Sequence, residues 1–432
     1  MQPQGMIMRE SIEVKTQECP VCQTVLPVFD GFVTWCDRCG WNVNPQQPEK
    51  PRNVFESTYA LLGQKQSRSL LEQFIQAEAL RPAFSISKLL AYVLAAAIHG
   101  ITLIFAIGGI GLLVSGWPNL LAIAGGLFCI AVASILRPRF LKVPDTIMSR
   151  KEFPTLYKLV DSLVNSLQTR EVSGIVINEQ FNASFRRVGW QRKGVLHLGL
   201  PLWSILDDQE KIALIAHELA HSVNDDATRG FFIGTAIRAL AKWYALLRPK
   251  HIWAPGSGIQ GLGEAPFRVI MLGLASLAWL GAYLLSLLLW RESQRAEYLA
   301  DYLAASVSGT EAMLSLMEKL HFSPTFTVVL RRVTLGKDAS CDFFAELRKR
   351  VAEVPKRELE RIKRVEQLEK SRLDVMHPPT PYRIELLQSH YVAQPKVNFL
   401  PSDFEQLEVE LLSLKGDLQK KLIDLYRASL FS

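Results

Sequence analysis

Two groups of residues in this chain have the types and spacing to do chemistry. The first is His217-Glu218-Leu219-Ala220-His221. Residues four apart share one face of a helix, so the two imidazoles can converge on a single Zn²⁺, with Glu218 beside them to deprotonate a water there. A site of this kind needs a third ligand. Glu297 and Asp301, again four apart, offer one: Glu297 can complete the set and Asp301 can hydrogen-bond a ligand imidazole from behind. A structural helix for the first motif and a solvated acidic face for the second are the bland alternatives.

The second group is Cys19-Pro20-Val21-Cys22 and Cys36-Asp37-Arg38-Cys39, two C-x-x-C pairs separated by thirteen residues. Each pair suits a tight turn that aims two thiolates at one tetrahedral Zn²⁺, with a short hairpin between, as in a zinc ribbon. Two redox dithiols or a disulfide pair are the other readings. Neither accounts for the paired spacing, and a cytosolic location disfavours the disulfide. Cys129 and Cys341 read as packing residues.

The elements that must position these groups follow from patterning. Residues 174–177 and 194–200 read as strands, and 182–188 can pair between them. The helix carrying His217 has a clear start: Asp207 as N-cap, Glu210 three residues on, then Ile212, Ile215, Leu219 and Val223 at helical spacing. The charged stretch 346–372 reads as a solvated helix, and the leucines of 404–430 as one that packs on the catalytic domain or lies at the membrane surface.

Apolar residues are concentrated elsewhere. Residues 89–116 and 120–136 contain no Lys, Arg, Asp or Glu, and only Trp117, Pro118 and Asn119 separate them. A hydrocarbon core of about 30 Å is easily spanned by the first run and almost by the second, so the pair reads as a transmembrane hairpin whose first span serves as a signal anchor. His99, alone within it, reads as an interhelical hydrogen-bonding group. Arg81 and Lys88 precede the hairpin and Arg137, Arg139 and Lys142 follow it, which puts both flanks in the cytosol. A third run, 269–290, is also apolar. His217, His221 and Glu297 must meet on one side of the bilayer, so the route between them crosses an even number of times. Residues 266–290 suffice for one crossing, and 230–247, despite Arg238 and Lys242, is the candidate for the other. That gives four spans, with 249–265 outside and both termini in the cytosol.

Composition agrees with a membrane protein. Of 432 residues 49% are hydrophobic, the mean hydropathy is +0.12, and Lys plus Arg exceed Asp plus Glu by 49 to 42. These values exclude a disordered chain, and six Cys are too sparse for a secreted disulfide scaffold. The basic excess is spread along the chain and suits an anionic membrane surface; no nucleic-acid partner is expected.

Taken together, His217-Glu218-x-x-His221, Glu297-x-x-x-Asp301, the upstream pair Asn182-Ala183 and the downstream His377-Pro378-Pro379-Thr380-Pro381-Tyr382-Arg383 resemble, in order, the HtpX-like and CAAX-prenyl-protease group of membrane zinc metallopeptidases. The resemblance covers about 89–390. It implies an α+β, gluzincin-like peptidase domain with a small strand layer, an HExxH helix and about four transmembrane helices. It also implies that Asn182 and Ala183 form the edge that holds substrate backbone, that His377 steadies the tetrahedral transition state and that Arg383 braces the Glu ligand. Ser184 and Phe185 depart from the family's Phe-first pattern at that edge.

The expected layout is a zinc ribbon over 1–44, a linker and amphipathic segment over 45–88 with Pro45, Pro48 and Pro51, and the hairpin over 89–136. The peptidase domain occupies 137–400, with a membrane insert at 230–290, and a C-terminal helix ends the chain at 401–432. Two Zn²⁺ are expected, one catalytic and one structural. The expected partners are a protein or peptide substrate, the lipid bilayer and a protein that the ribbon binds. The expected location is a bacterial cytoplasmic membrane with the active site in the cytosol. The glycine pattern Gly256-Ser257-Gly258-Ile259-Gln260-Gly261 follows Pro255 rather than a strand and reads as a loop. Asn182-Ala183-Ser184, formally a glycosylation acceptor, stays unmodified in the cytosol. An endopeptidase of membrane or misfolded proteins is the leading function. A non-catalytic scaffold, or processing of prenylated proteins, is the alternative; four spans are too few for the larger chamber of the prenyl-processing branch.

Overall fold

The computed structural model describes residues 15–45, 54–77, 86–137, 142–223, 231–248, 259–336, 342–368, 378–397 and 399–430. His377, Cys341 and most of the loop expected outside the bilayer lie outside the described residues. The chain opens with a two-stranded antiparallel ribbon, β1 (Thr16–Glu18) and β2 (Val25–Pro27), followed by helix α1 (Val54–Ile75).

The apolar hairpin is α2 (Ile86–Ser115) and α3 (Leu120–Leu136). Asn119 starts α3 by accepting hydrogen bonds from the amides of Leu121 and Ala122. The two helices touch backbone to backbone at Gly109 and Gly126. A Cβ on Gly109 would lie 2.8 Å from Ile130 Cγ1, and one on Gly126 2.9 Å from the Gly109 carbonyl, so only glycine allows this approach.

The mixed region after the hairpin begins with α4 (Pro154–Leu167) and a three-stranded sheet of β3 (Gly174–Asn178), β4 (Ala183–Val188) and β5 (Lys193–Gly199). The strand order differs from the expected one. β5, not β4, lies in the middle, parallel to β3 and antiparallel to β4. The reason is in the side chains: Val195, Leu196 and Leu198 of β5 are buried, whereas β4 exposes Arg186 and partly exposes Ser184 and Arg187, which suits an edge.

A short turn, α5 (Leu200–Trp203), leads into α6 (Asp208–Val223). The expected cap is present on one side: the Asp207 amide donates to Glu210 Oε2 at 2.7 Å. The Asp207 carboxylate instead pairs with Lys319, which also reaches the buried Glu210 at 2.7 Å. Beyond α6 come α7 (Phe231–Leu247) and α8 (Ile259–Ser308). At 50 residues α8 is about 75 Å long, so one rod joins an apolar half to the half that carries Glu297 and Asp301.

Among the described residues two helices are long and apolar enough to cross a bilayer, 86–115 and 268–308; the apolar Leu120–Leu136 is shorter. α7, expected as a further span, is not among them: with 17 residues it is about 26 Å long, just short of the hydrocarbon core, and its Lys242 and Trp243 donate to the α3 carbonyls of Ile135 and Leu136. His99 does what was expected of it, contacting the Phe232 carbonyl at 3.1 Å and the Thr235 hydroxyl at 3.2 Å.

The remaining helices are α9 (Thr310–Leu320), α10 (Ser323–Leu335), α11 (Phe343–Ala352), α12 (Lys356–Leu368), α13 (Thr380–Ser389) and α14 (Pro401–Leu430). The main core lies between the sheet, α4, α6, the end of α8 and α9 to α11. α14 packs on it through Phe404, Leu407, Leu411, Leu418 and Leu422. From α14, Glu410 accepts from the amides of Thr155 and Leu156 at 2.7 and 3.1 Å, satisfying the start of α4.

The single solvated helix expected over 346–372 is replaced by α11 and α12. Phe343, Phe344 and Leu347 of α11 are fully buried. One face of α12 holds the ribbon: Arg357, Arg361 and Arg364 donate to the carbonyls of Trp35, Val43 and Asp37, each at 2.8 Å. Arg357 and Arg364 also lie 4.7 and 4.8 Å from the Trp35 ring centroid.

Candidate metal centres

α6 and α8 pack side by side, and the polar face of each meets the other. His217 and His221 come from α6 and Glu297 from α8. The two histidine Nε2 atoms are 3.3 Å apart, and each lies 3.6 Å from an oxygen of Glu297. Ligands on a tetrahedral Zn²⁺ at about 2.0–2.1 Å stand about 3.3 Å from one another. The three side chains therefore fit one ion between them without rearrangement. His221 and Glu297 are buried and His217 nearly so, which leaves little water to compete for the ligand atoms.

Behind the ligands lies a second layer of charge. Asp301, completely buried, places Oδ1 3.0 Å from His217 Nδ1. That contact leaves Nε2 of His217 to face the metal position. Arg383 clamps Asp301 with two bonds, Nε to Oδ2 at 2.7 Å and Nη2 to Oδ1 at 2.6 Å, while its nearest approach to Glu297 is 3.9 Å. Arg383 thus braces the imidazole through Asp301 more directly than it braces the Glu ligand. Burial alone would raise the Asp301 pKa; the Arg383 charge outweighs it and holds the carboxyl below the usual range. Burial alone would likewise depress His217, but the Asp301 hydrogen bond and the Glu297 carboxylate outweigh it and lift the imidazole to about 9 in the metal-free form.

Glu218, on the same helix, reaches the sheet. Its Oε2 accepts a 2.9 Å hydrogen bond from the backbone amide of Phe185 on the edge strand β4. Strand alternation turns the backbone groups of residues 183, 185 and 187 away from β5, and the Asn182 carbonyl, one residue out of phase, accepts from Gly199 at 2.9 Å. Asn182 and Ala183 open this edge; the Asn182 side chain accepts from the Ala183 amide at 2.9 Å. The Phe185 amide was invisible to motif reading, because a backbone group leaves no mark on residue type.

In the ribbon, the four sulfurs of Cys19, Cys22, Cys36 and Cys39 all lie within 4.8 Å of one another, with Cys19–Cys39 at 3.6 Å and Cys22–Cys36 at 3.5 Å. Sulfurs on a tetrahedral Zn²⁺ stand about 3.8 Å apart, whereas a disulfide needs about 2.05 Å. Two similar turns present them: the Gln23 amide donates to the Cys19 carbonyl and the Gly40 amide to the Cys36 carbonyl, with Gln23 and Gly40 both at positive φ. The arginines that seat this ribbon were also missed by sequence reading. Their spacing of four and three along 357–364 was the available signal.

A family model described as Peptidase family M48 matches residues 151–390, from the approach to α4 to the end of α13. Among curated proteins, the chain is similar to a "Protease HtpX homolog" of Pyrobaculum calidifontis, 27% identical over 188 residues, which is 43% of this chain and 53% of that protein. It is also similar to a "Protease HtpX homolog" of Desulforapulum autotrophicum, 31% identical over 120 residues, 28% of this chain and 38% of that protein. The chain thus spans about half the length, or less, of these relatives. No solved structure matches it.

Proposed function

The chain belongs to peptidase family M48, and on that premise we propose that it is a membrane-embedded zinc endopeptidase that cleaves membrane or misfolded proteins on the cytosolic side. The observation that carries this reading is the convergence of His217, His221 and Glu297 at 3.3 to 3.6 Å, with Glu218 on the same helix. Zn²⁺ held there supplies Lewis acidity, acidifying a water and polarising the scissile carbonyl. Glu218 takes the proton of the attacking water and passes it to the leaving amine. Asp301 and Arg383 keep His217 in the tautomer and orientation that ligation needs. An extended substrate adds a strand at the edge that Asn182 and Ala183 open, so main-chain pairing recognises locally unfolded segments with little regard for side chain. His377 has the role of steadying the transition state.

Apolar α2, α3 and the apolar half of α8 support the membrane location, and the cations flanking the hairpin support a cytosolic active site and cytosolic termini in a bacterial cytoplasmic membrane. The ribbon carries a structural Zn²⁺. Quality control of membrane proteins is favoured over processing of prenylated proteins, because the apolar helices among the described residues are too few to enclose a large chamber.

The test is metal content and cleavage of casein by the full chain in detergent. Glu218→Gln keeps the metal and loses nearly all activity, whereas His217→Ala loses the catalytic metal as well. Wild-type cleavage by Glu218→Gln would overturn Glu218 as the base, and absence of cleavage by the unaltered chain would leave a scaffold as the better reading.

A further inference from the structure

The hairpin that joins β4 to β5 carries an unusual tip. Over 186–193 it contains Arg186, Arg187, Trp190, Arg192 and Lys193, and no acidic residue occurs anywhere over 180–206. The turn is built on Gly189 at φ +68° and Arg192 at φ +53°, with the Arg192 amide donating to the Gly189 carbonyl at 3.3 Å. This conformation pushes Trp190 out from the sheet, where it is 79% exposed. Arg186, Arg192 and Lys193 of the same hairpin are exposed too.

The chain path places this tip near the lipid. α3 ends at Leu136, and Val143 is already in contact with the tip: a Cβ on Gly189 would lie 3.1 Å from Val143 Cγ2. From there the chain runs along the outer face of the sheet. Ile147 packs over Gly174, and the Met148 amide donates to the Ile175 carbonyl at 2.8 Å. The tip is therefore the first part of the peptidase domain that the chain meets after the hairpin. The six Cα steps from Arg137 to Val143 can span at most about 20–22 Å. Arg137 and Lys142 on that connection are exposed and add to the same positive charge, of which the exposed Asp145 offsets one.

We infer that the β4–β5 tip is a docking surface for anionic lipid headgroups. An exposed tryptophan on a hairpin with four cations and no acid of its own, tethered this close to a membrane helix, matches the interfacial layer: the indole sits at headgroup depth and the guanidinium and ammonium groups meet phosphate. Docking there fixes the height of the β4 edge above the bilayer. The inference rests on the membrane insertion of α2, α3 and α8 proposed above.

The experiment uses the full chain in nanodiscs of phosphatidylcholine brominated near the headgroup, with and without phosphatidylglycerol. Tryptophan quenching of the wild type is compared with that of Trp190→Phe. Trp117, in the turn between α2 and α3, and Trp279, on α8, report insertion itself. With phosphatidylglycerol present, Trp190→Phe loses one tryptophan's share of the quenching, and Arg186→Glu/Lys193→Glu lowers the same share. Equal quenching of wild type and Trp190→Phe, with the remaining tryptophans still quenched, overturns the docking surface and leaves membrane insertion standing. Absence of all quenching overturns both. A Trp190 share that is the same without phosphatidylglycerol overturns the assignment to anionic headgroups.

Discussion

Arg383 and Asp301 form a two-bond fork, Nε to Oδ2 at 2.7 Å and Nη2 to Oδ1 at 2.6 Å, across the packing of α13 on α8. Because the same Oδ1 lies 3.0 Å from His217 Nδ1, the pair links a helix beyond the metal-binding core to a candidate ligand. Removing one member of a buried pair leaves the other as an uncompensated charge. Arg383→Ala is expected to destabilise the fold by about 3–5 kcal/mol in denaturant unfolding, and Arg383→Lys, which cannot form the fork, to recover only part of that. Asp301→Asn keeps the volume but weakens the hold on His217, so zinc affinity by chelator competition should drop about 10–100-fold. Unchanged affinity would mean that His217 needs no support.

The same cluster sets a pH dependence. His217 rises from an ordinary 6.5 to about 9 in the metal-free protein, so its protonation stabilises that form fully below pH 6.5. The contribution is lost as pH rises through 9. Asp301 is depressed instead, so its contribution is present above its ordinary 3.8 and is lost as pH falls through its lower folded value. Zinc must displace the His217 proton to bind. Zinc affinity should therefore climb by nearly tenfold per pH unit toward pH 9 and then level off. Calorimetry in buffers of different ionisation enthalpy should register about one proton released from His217 at pH 7.5. Release of no proton there would show that His217 is already neutral.

The Glu218–Phe185 contact makes a sharper demand on length. A one-methylene shorter carboxylate at 218 can no longer reach the Phe185 amide from the same backbone position. Misplacing a catalytic group by about 1 Å costs on the order of 10²-fold. Glu218→Asp is expected to lower kcat by about that factor, with KM and zinc content little changed. A variant with wild-type kcat would show that the edge-strand amide plays no part in placing the base.

Much of the site was legible because helical spacing translates directly into geometry. His217 and His221, and likewise Glu297 and Asp301, are four apart, and an α-helix puts such pairs on one face whatever surrounds it. The four cysteines were legible for the same reason, with tight turns in place of helices. Long-range packing was not. The middle position of β5 depends on which strand buries both faces, and the lodging of α7 against Ile135 and Leu136 depends on where two distant helices end. Arg383 was linked to the Glu ligand by resemblance alone. Which of two carboxylates one turn apart receives its fork is decided by how α13 sits on α8.

The seat of the ribbon yields the last expectation. Trp35 is 1% exposed because Arg357 and Arg364 cover its ring, and three backbone carbonyls of the ribbon are taken up by α12. Carbonyl positions exist only when the two cysteine turns are formed, so docking requires a folded ribbon, whereas ribbon folding does not require docking. Arg357→Ala/Arg364→Ala removes two cation–π contacts of about 0.5–1 kcal/mol each, and more where they are desolvated. Limited proteolysis between the ribbon and α1 should accelerate in this variant while zinc bound by the four cysteines is retained. Cys19→Ser/Cys36→Ser should show the same acceleration with that zinc lost. Wild-type resistance in the double arginine variant would mean that the carbonyl bond of Arg361 to Val43 is enough to hold the ribbon.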